Sequence, residues 1–223
     1  MHVSKCYRRS IVSQDHCDIA GGGITDIETE GDAARQINGI ARRSGNRLPR
    51  LVNRINRWSS RNRHRQSKQG DIAFLDILQQ MGCTVNERDH FIEVTGTTKL
   101  MGVDVDMQDI PDTAQTLAAI APFASSPTTI RGIASARLKE TDRVHATCME
   151  LVRLGVCVDE HDDGMTIYPC DKIQPATIQT YNDHRMAMAF SLVGLRVSGI
   201  MIENPACVAK TFPNFFEVLD CLR

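Results

Sequence analysis

The chain has 223 residues, with 42% hydrophobic and 24% charged side chains, enough for one good-sized domain or two small ones. A formal net charge of -1 excludes a globally basic nucleic-acid binder, and no run approaches the roughly 18 apolar residues of a membrane span. The 8 cysteines form no CxxC pair and no zinc spacing, and the opening MHVSKCYRRS lacks the apolar stretch of a signal peptide. Reduced thiols and a cytoplasmic location are therefore expected.

In chain order, the first feature is a seam. Residues 34–68 carry no Asp or Glu but contain Arg35, Arg42, Arg43, Arg47, Arg50, Arg54, Arg57, Arg61, Arg63 and Arg65, together with the only Trp, Trp58. Apolar residues there follow neither period 2 nor period 3.6, so a domain boundary is placed near residues 66–70. Residues 1–65 are expected to pack poorly. Residues 35–65 can be read as a basic arm for nucleic acid or, more plainly, as a tail with no specific partner.

From Gly70 the pattern becomes regular. DIAFLDILQQMGC (71–83) reads as a helix ending at Gly82, and TVNERDHFIEV (84–94) as two strands around a turn at Arg88-Asp89. GVDVDM (102–107) alternates like a strand. Asp112 is placed to cap a helix running to about Phe123, followed by a strand at TTIRGI (128–133). Thr141 to Leu154 is amphipathic, with Val144, Cys148, Leu151 and Val152 on one face. Residues 157–169 read as strand, turn, strand, and Asp183 as the cap of an apolar helix.

Two stretches echo each other. Asp112 opens an apolar helix, with Lys139 27 residues later, and Asp183 opens another, with Lys210 27 residues later. The register shift of 71–73 residues points to a duplicated β-α-β-α-β-β unit. Three predicted helix starts then carry cations: Lys139 and Arg143, His184 and Arg185, and Lys210 ahead of Pro213. The helix dipole opposes each by about 0.3–1 kcal/mol. A bound phosphate or carboxylate would reverse that sign. The local alternative is pairing of Glu140 with Arg143 and of Asp183 with Arg185, leaving Lys210 in solvent. Taken singly, His184 reads as a buried or capping histidine, Asp112 as a cap, and Glu140 as dipole compensation.

The segments QGDIAFLDILQQMGC (69–83), VDVDMQDIPD (103–112), RLKETDR (137–143), YNDHRMAMAFSL (181–192) and AKTFPNFFEVL (209–219) resemble the C-terminal part of the 5-enolpyruvylshikimate-3-phosphate synthase family. The resemblance covers about residues 66–223. It implies an α/β (α+β) enolpyruvyl-transferase fold of repeated β-α-β-α-β-β units, with one domain largely present and the other largely missing. The implied reaction moves the enolpyruvyl group of phosphoenolpyruvate to the 5-hydroxyl of shikimate 3-phosphate and releases phosphate. No metal or organic cofactor is implied, nor any membrane or nucleic-acid partner, and a monomer is expected.

The resemblance also implies roles. Asp112 and Lys139 would bind the shikimate phosphate, with Asp112 a base for the 5-hydroxyl. Glu140 would transfer a proton at the phosphoenolpyruvate methylene carbon. Arg143, Arg185 and Lys210 would grip phosphoenolpyruvate, and His184 would line that site. Ser135 stands where the family usually has Asn. Where the family carries a GDASS-type stretch, residues 30–33 read EGDA and then Ala34-Arg35-Gln36 follows. Family-like sequence on both sides of an acid-free insert motivates the hypothesis that residues 34–65 are a shifted reading frame. Resequencing the locus and finding the family residues in no frame would remove it. The rival expectation is a remnant that folds without catalysing.

Overall fold

The computed structural model describes residues 55–58, 70–87 and 92–220. Most of the expected arginine-rich arm, the turn at Arg88-Asp89 and the EGDA stretch lie outside these residues. The described part of the seam, Ile55–Trp58, is strand β1, an element absent from the sequence reading. A 3₁₀ turn, Gly70–Ala73, leads into α1 (Phe74–Gln80), and β2 (Thr84–Glu87) and β3 (Ile92–Thr95) follow. Gly82 has φ 96°, the left-handed geometry that ends a helix at that position. These strands form an antiparallel sheet in the order β1-β3-β2.

A complete repeat comes next: β4 (Asp104–Asp106), α2 (Ala114–Ile120), β5 (Thr128–Arg131), α3 (Arg143–Arg153), β6 (Val158–His161) and β7 (Gly164–Ile167). Its sheet runs β4-β5-β7-β6, with β4 parallel to β5 and the other neighbours antiparallel. Only glycine fits at Gly164, because a Cβ there would run into the carbonyl oxygen of Ile130 on β5.

The pattern then starts again with β8 (Thr177–Ile178), α4 (His184–Ser191), β9 (Met201–Ile202) and α5 (Phe215–Asp220). β8 and β9 pair in parallel, as β4 and β5 do. Each element starts 70–73 residues after its counterpart: Asp104 and Thr177, Ala114 and His184, Thr128 and Met201, Arg143 and Phe215. The duplication read from the sequence is therefore present in the fold.

Helices α2 and α4 pack against each other in the core. Ala114, Leu117, Ala118 and Ala119 of α2 are buried, as are Met186, Ala187, Met188, Ala189 and Phe190 of α4. Helices apolar on every side belong in an interior, and their alanines permit close approach. Helix α3 covers α2 with Val144, Cys148 and Leu151, whereas Val152, assigned to the same face, is 56% exposed. At 100° per residue Val152 falls beyond the edge of the buried arc. Among the described residues no helix is long and apolar enough to cross a membrane.

Candidate active site

Helices α2 and α4 occupy equivalent places in consecutive repeats, and their starts come together. Arg185, in the first turn of α4, donates from Nη1 to the backbone oxygen of Asp112 at 3.1 Å, and its Nη2 lies 3.0 Å from Asp112 Oδ2. Asp112 is not the cap of α2, as the sequence reading had it. Pro111 opens a 3₁₀ turn, Pro111–Thr113, and Thr113 precedes α2 in helical geometry with no side-chain cap. That leaves the Asp112 carboxylate free to face the neighbouring repeat.

Asp183 does cap α4, its Oδ1 accepting from the Arg185 backbone N–H at 2.8 Å. It does more than cap. Arg143, the first residue of α3, donates from Nε to Asp183 Oδ2 at 2.7 Å, from Nη1 to Asp112 Oδ1 at 2.9 Å and from Nη2 to Glu140 Oε2 at 2.7 Å. The Arg143 side chain is 3% exposed and that of Asp183 0%, so the pair is desolvated and must be matched internally. The cap of α3 itself is Asp142, which accepts from the His145 N–H at 2.9 Å.

Lys139 and Glu140 precede α3 rather than lying on it. Lys139 Nζ stands 4.0 Å from Asp112 Oδ1. Lys210 ends the 3₁₀ turn Pro205–Lys210 and does not start a helix, a second correction. Its Nζ, 65% exposed as a side chain, reaches Glu140 Oε1 at 3.1 Å. Ser135 sits exposed on the 3₁₀ turn Ala134–Leu138 and makes no hydrogen bond to this cluster.

Thus Asp112, Lys139, Glu140, Arg143, Asp183, Arg185 and Lys210 share one network, with His184 beside it and Ser135 outside it. Four cations face three carboxylates. The cations were read as opposed by helix dipoles. The structure keeps the local Glu140–Arg143 pair, but Asp183 meets Arg185 only at its backbone N–H, Lys210 pairs with Glu140 instead of standing in solvent, and Asp112 and Asp183 add carboxylates from other elements. Every side-chain nitrogen of Arg143 is engaged, while Lys210, Lys139 and the partly exposed Arg185 remain reachable.

Electrostatics set the protonation states. Burial pushes the Glu140 carboxyl up, but hydrogen bonds from its own backbone N–H and Lys210, with the charge of Arg143, outweigh this and hold it at about 2. Glu140 is therefore ionised at neutral pH. A depressed carboxyl contributes stability above its ordinary value of 4.5, lost as pH falls toward 2. Lys210→Ala should raise the Glu140 pKa toward 4.5, checked by a ¹³C carboxyl titration; an unmoved midpoint would refute the Lys210 contact. Burial pushes His184 below its ordinary value; Asp183 opposes this and the Arg185 and Arg143 charges add to it. At pH 7 the imidazole is neutral, and its 3.8 Å approach to Asp183 is no ion pair.

Sequence reasoning missed two participants. Glu150 and Tyr181 bracket the entry to α4 from α3. The signal was available: Arg143, Thr147, Glu150 and Leu154 form one buried stripe along α3, and a carboxylate in such a stripe demands partners.

Residues 60–219 match the family model described as EPSP synthase (3-phosphoshikimate 1-carboxyvinyltransferase). The chain is 57% identical over 152 residues to a 3-phosphoshikimate 1-carboxyvinyltransferase of Nostoc punctiforme, covering 68% of this chain and 35% of that protein. It is 47% identical over 163 residues to a chloroplastic 3-phosphoshikimate 1-carboxyvinyltransferase of Brassica napus, covering 70% and 32%. Among solved structures, an EPSP synthase of Acinetobacter baumannii superposes with TM-score 0.59 at 30% identity, covering 66% of this chain and 38% of that one. The enolpyruvyl transferase NikO of Streptomyces tendae gives 0.55 at 26% identity, covering 67% and 34%. The chain spans about a third of the length of the curated relatives it matches. With the matched segment holding the whole ion-pair network, this chain belongs to the EPSP synthase family.

Proposed function

We propose that this chain carries the phosphoenolpyruvate-binding part of an enolpyruvyl-transferase site. The relevant reaction moves the enolpyruvyl group of phosphoenolpyruvate to the 5-hydroxyl of shikimate 3-phosphate and releases phosphate. The observation that supports this is the convergence of Lys139, Arg143, Arg185 and Lys210, from four separate segments, around Asp112, Glu140 and Asp183. An anion arriving here is met by Lys210, Lys139 and Arg185, with Arg143 held rigid behind them. Such a preorganised cationic shell matches phosphate and carboxylate charge.

Addition requires an acid and a base. Asp112 takes the proton of the attacking hydroxyl as its oxygen bonds to the enolpyruvyl carbon. Glu140 delivers a proton to the methylene carbon and later takes one back as phosphate leaves. Lys210 and Arg143 keep Glu140 ionised. A substrate phosphate that draws Lys210 to itself removes one of those stabilising partners, which raises the Glu140 pKa, so that the carboxylate takes up a proton from solvent and has one to deliver. Neutral His184 lines the site, and Ser135 lies at its margin for the second substrate. The free thiols Cys83, Cys148, Cys157, Cys170 and Cys207 suit a reducing, cytoplasmic setting.

Because the chain spans a third of its relatives, it is expected to bind phosphoenolpyruvate weakly rather than turn it over alone. Lys210→Ala and Arg185→Ala should each weaken phosphoenolpyruvate binding by about tenfold, the effect of ~1.4 kcal/mol per lost charge-assisted bond. A calorimetric titration showing equal affinity for both variants and the parent would sink the assignment. The same partial span favours the second reading, a folded remnant without activity. Growth of a synthase-deficient strain carrying this chain would reject it.

A further inference from the structure

Glu150 lies outside the ion-pair network, yet its side chain is completely buried, near the end of α3. Its Oε2 accepts from the backbone N–H of Gln179 at 3.0 Å and lies 3.1 Å from Arg153 Nε. Its Oε1 accepts from the Tyr181 hydroxyl at 3.0 Å. These contacts clamp the turn that enters α4. That turn is strained at Tyr181: Tyr181 and Asn182 have φ of 53° and 56°, left-handed geometry that an asparagine tolerates and a tyrosine does not. A tyrosine held there costs on the order of 1–3 kcal/mol and persists only where its surroundings over-determine it.

The clamp reaches Arg185 and Lys210. Asp183 follows Asn182 directly and fixes Arg143 and the Arg185 backbone. Asn182 Oδ1 accepts from Asn204 Nδ2 at 3.2 Å. Asn204, itself left-handed at φ 46°, opens the 3₁₀ turn that ends in Lys210. Arg143 and Glu150 sit seven residues apart on α3, two turns on one stripe, so a single helix holds the α4 entry at two points.

We infer that Glu150 is a positioning residue of this site: it locks the Tyr181-Asn182 turn and so sets Asp183, Arg185 and, through Asn204, Lys210. The ligand named in the test rests on the proposed function; the geometry does not. The experiment uses the full chain, with Glu150→Gln and, because a buried amide against Arg153 threatens folding, Tyr181→Phe as a second variant. Glu160→Gln, in the separate Arg137–His145 cluster, is the control. Two quantities are read: the Arg143 Nε–H resonance without ligand, and inorganic phosphate affinity by ³¹P titration. In the parent the Arg143 proton is expected downfield and slow to exchange, held by the 2.7 Å bond to Asp183. In both Glu150→Gln and Tyr181→Phe it should move toward the free-arginine position, with at least a tenfold loss of phosphate affinity, while Glu160→Gln changes neither. An unmoved Arg143 resonance in both, even with a lowered melting temperature, assigns Glu150 to stability alone and overturns the inference. If the resonance moves but the parent binds no phosphate, Glu150 stands as the positioning residue and the anion reading falls.

Discussion

Arg143→Met is expected to lower the unfolding free energy by about 3–5 kcal/mol, the usual cost of breaking a buried ion pair from one side. The pair is nearly dry, with the Arg143 side chain 3% exposed and Asp183 0%. Methionine fills much of the volume, so a cavity contributes little. What remains is a fully buried Asp183 that keeps the Arg185 N–H but loses its cation. Asp112 and Glu140, each near one-third exposed, can turn to solvent and to Arg185 and Lys210. The loss therefore concentrates on Asp183 and, through it, on the start of α4. Urea unfolding of parent and variant at neutral pH measures it. A loss below about 1 kcal/mol would place the pair in the class of exposed salt bridges and contradict the burial seen here.

How much of this was legible in the sequence follows from the range of each interaction. Local rules worked where partners are a few residues apart: Asp183 caps α4, Gly82 ends the turn after α1, and a tight turn separates the paired strands β6 and β7. The repeat was visible because duplicated units keep their spacing even where side chains diverge. Local rules failed where a competing local geometry won. Pro111 starts its own 3₁₀ turn, which moves Asp112 out of the capping position, and Pro205 does the same ahead of Lys210.

The charge balance was the least legible part. Arg143 meets Glu140 three residues away, a pairing that spacing suggests. It also meets Asp112 and Asp183, 31 and 40 residues distant, which only the packing of α2, α3 and α4 brings near. A count of cations at helix starts sees the positive half of such a network and misses the carboxylates that neutralise it. The strand at Ile55–Trp58 was hidden similarly, since its partner β3 lies beyond the presumed boundary.

Asp183→Ala is expected to cost at least as much as Arg143→Met, because it removes two functions at once. It strips Arg143 of its one fully buried carboxylate partner and takes the cap from α4, a further loss of about 0.5–2 kcal/mol. The two substitutions share one interaction, so they should not add. In the Arg143→Met background, Asp183→Ala no longer strands a buried guanidinium, and its cost should shrink toward that of the cap. The double variant is then more stable than the summed single losses allow, by about 0.5–3 kcal/mol. Strict additivity in a urea-unfolding cycle would mean that the two side chains are energetically independent, and that the network joining α3 to α4 does not hold the site together.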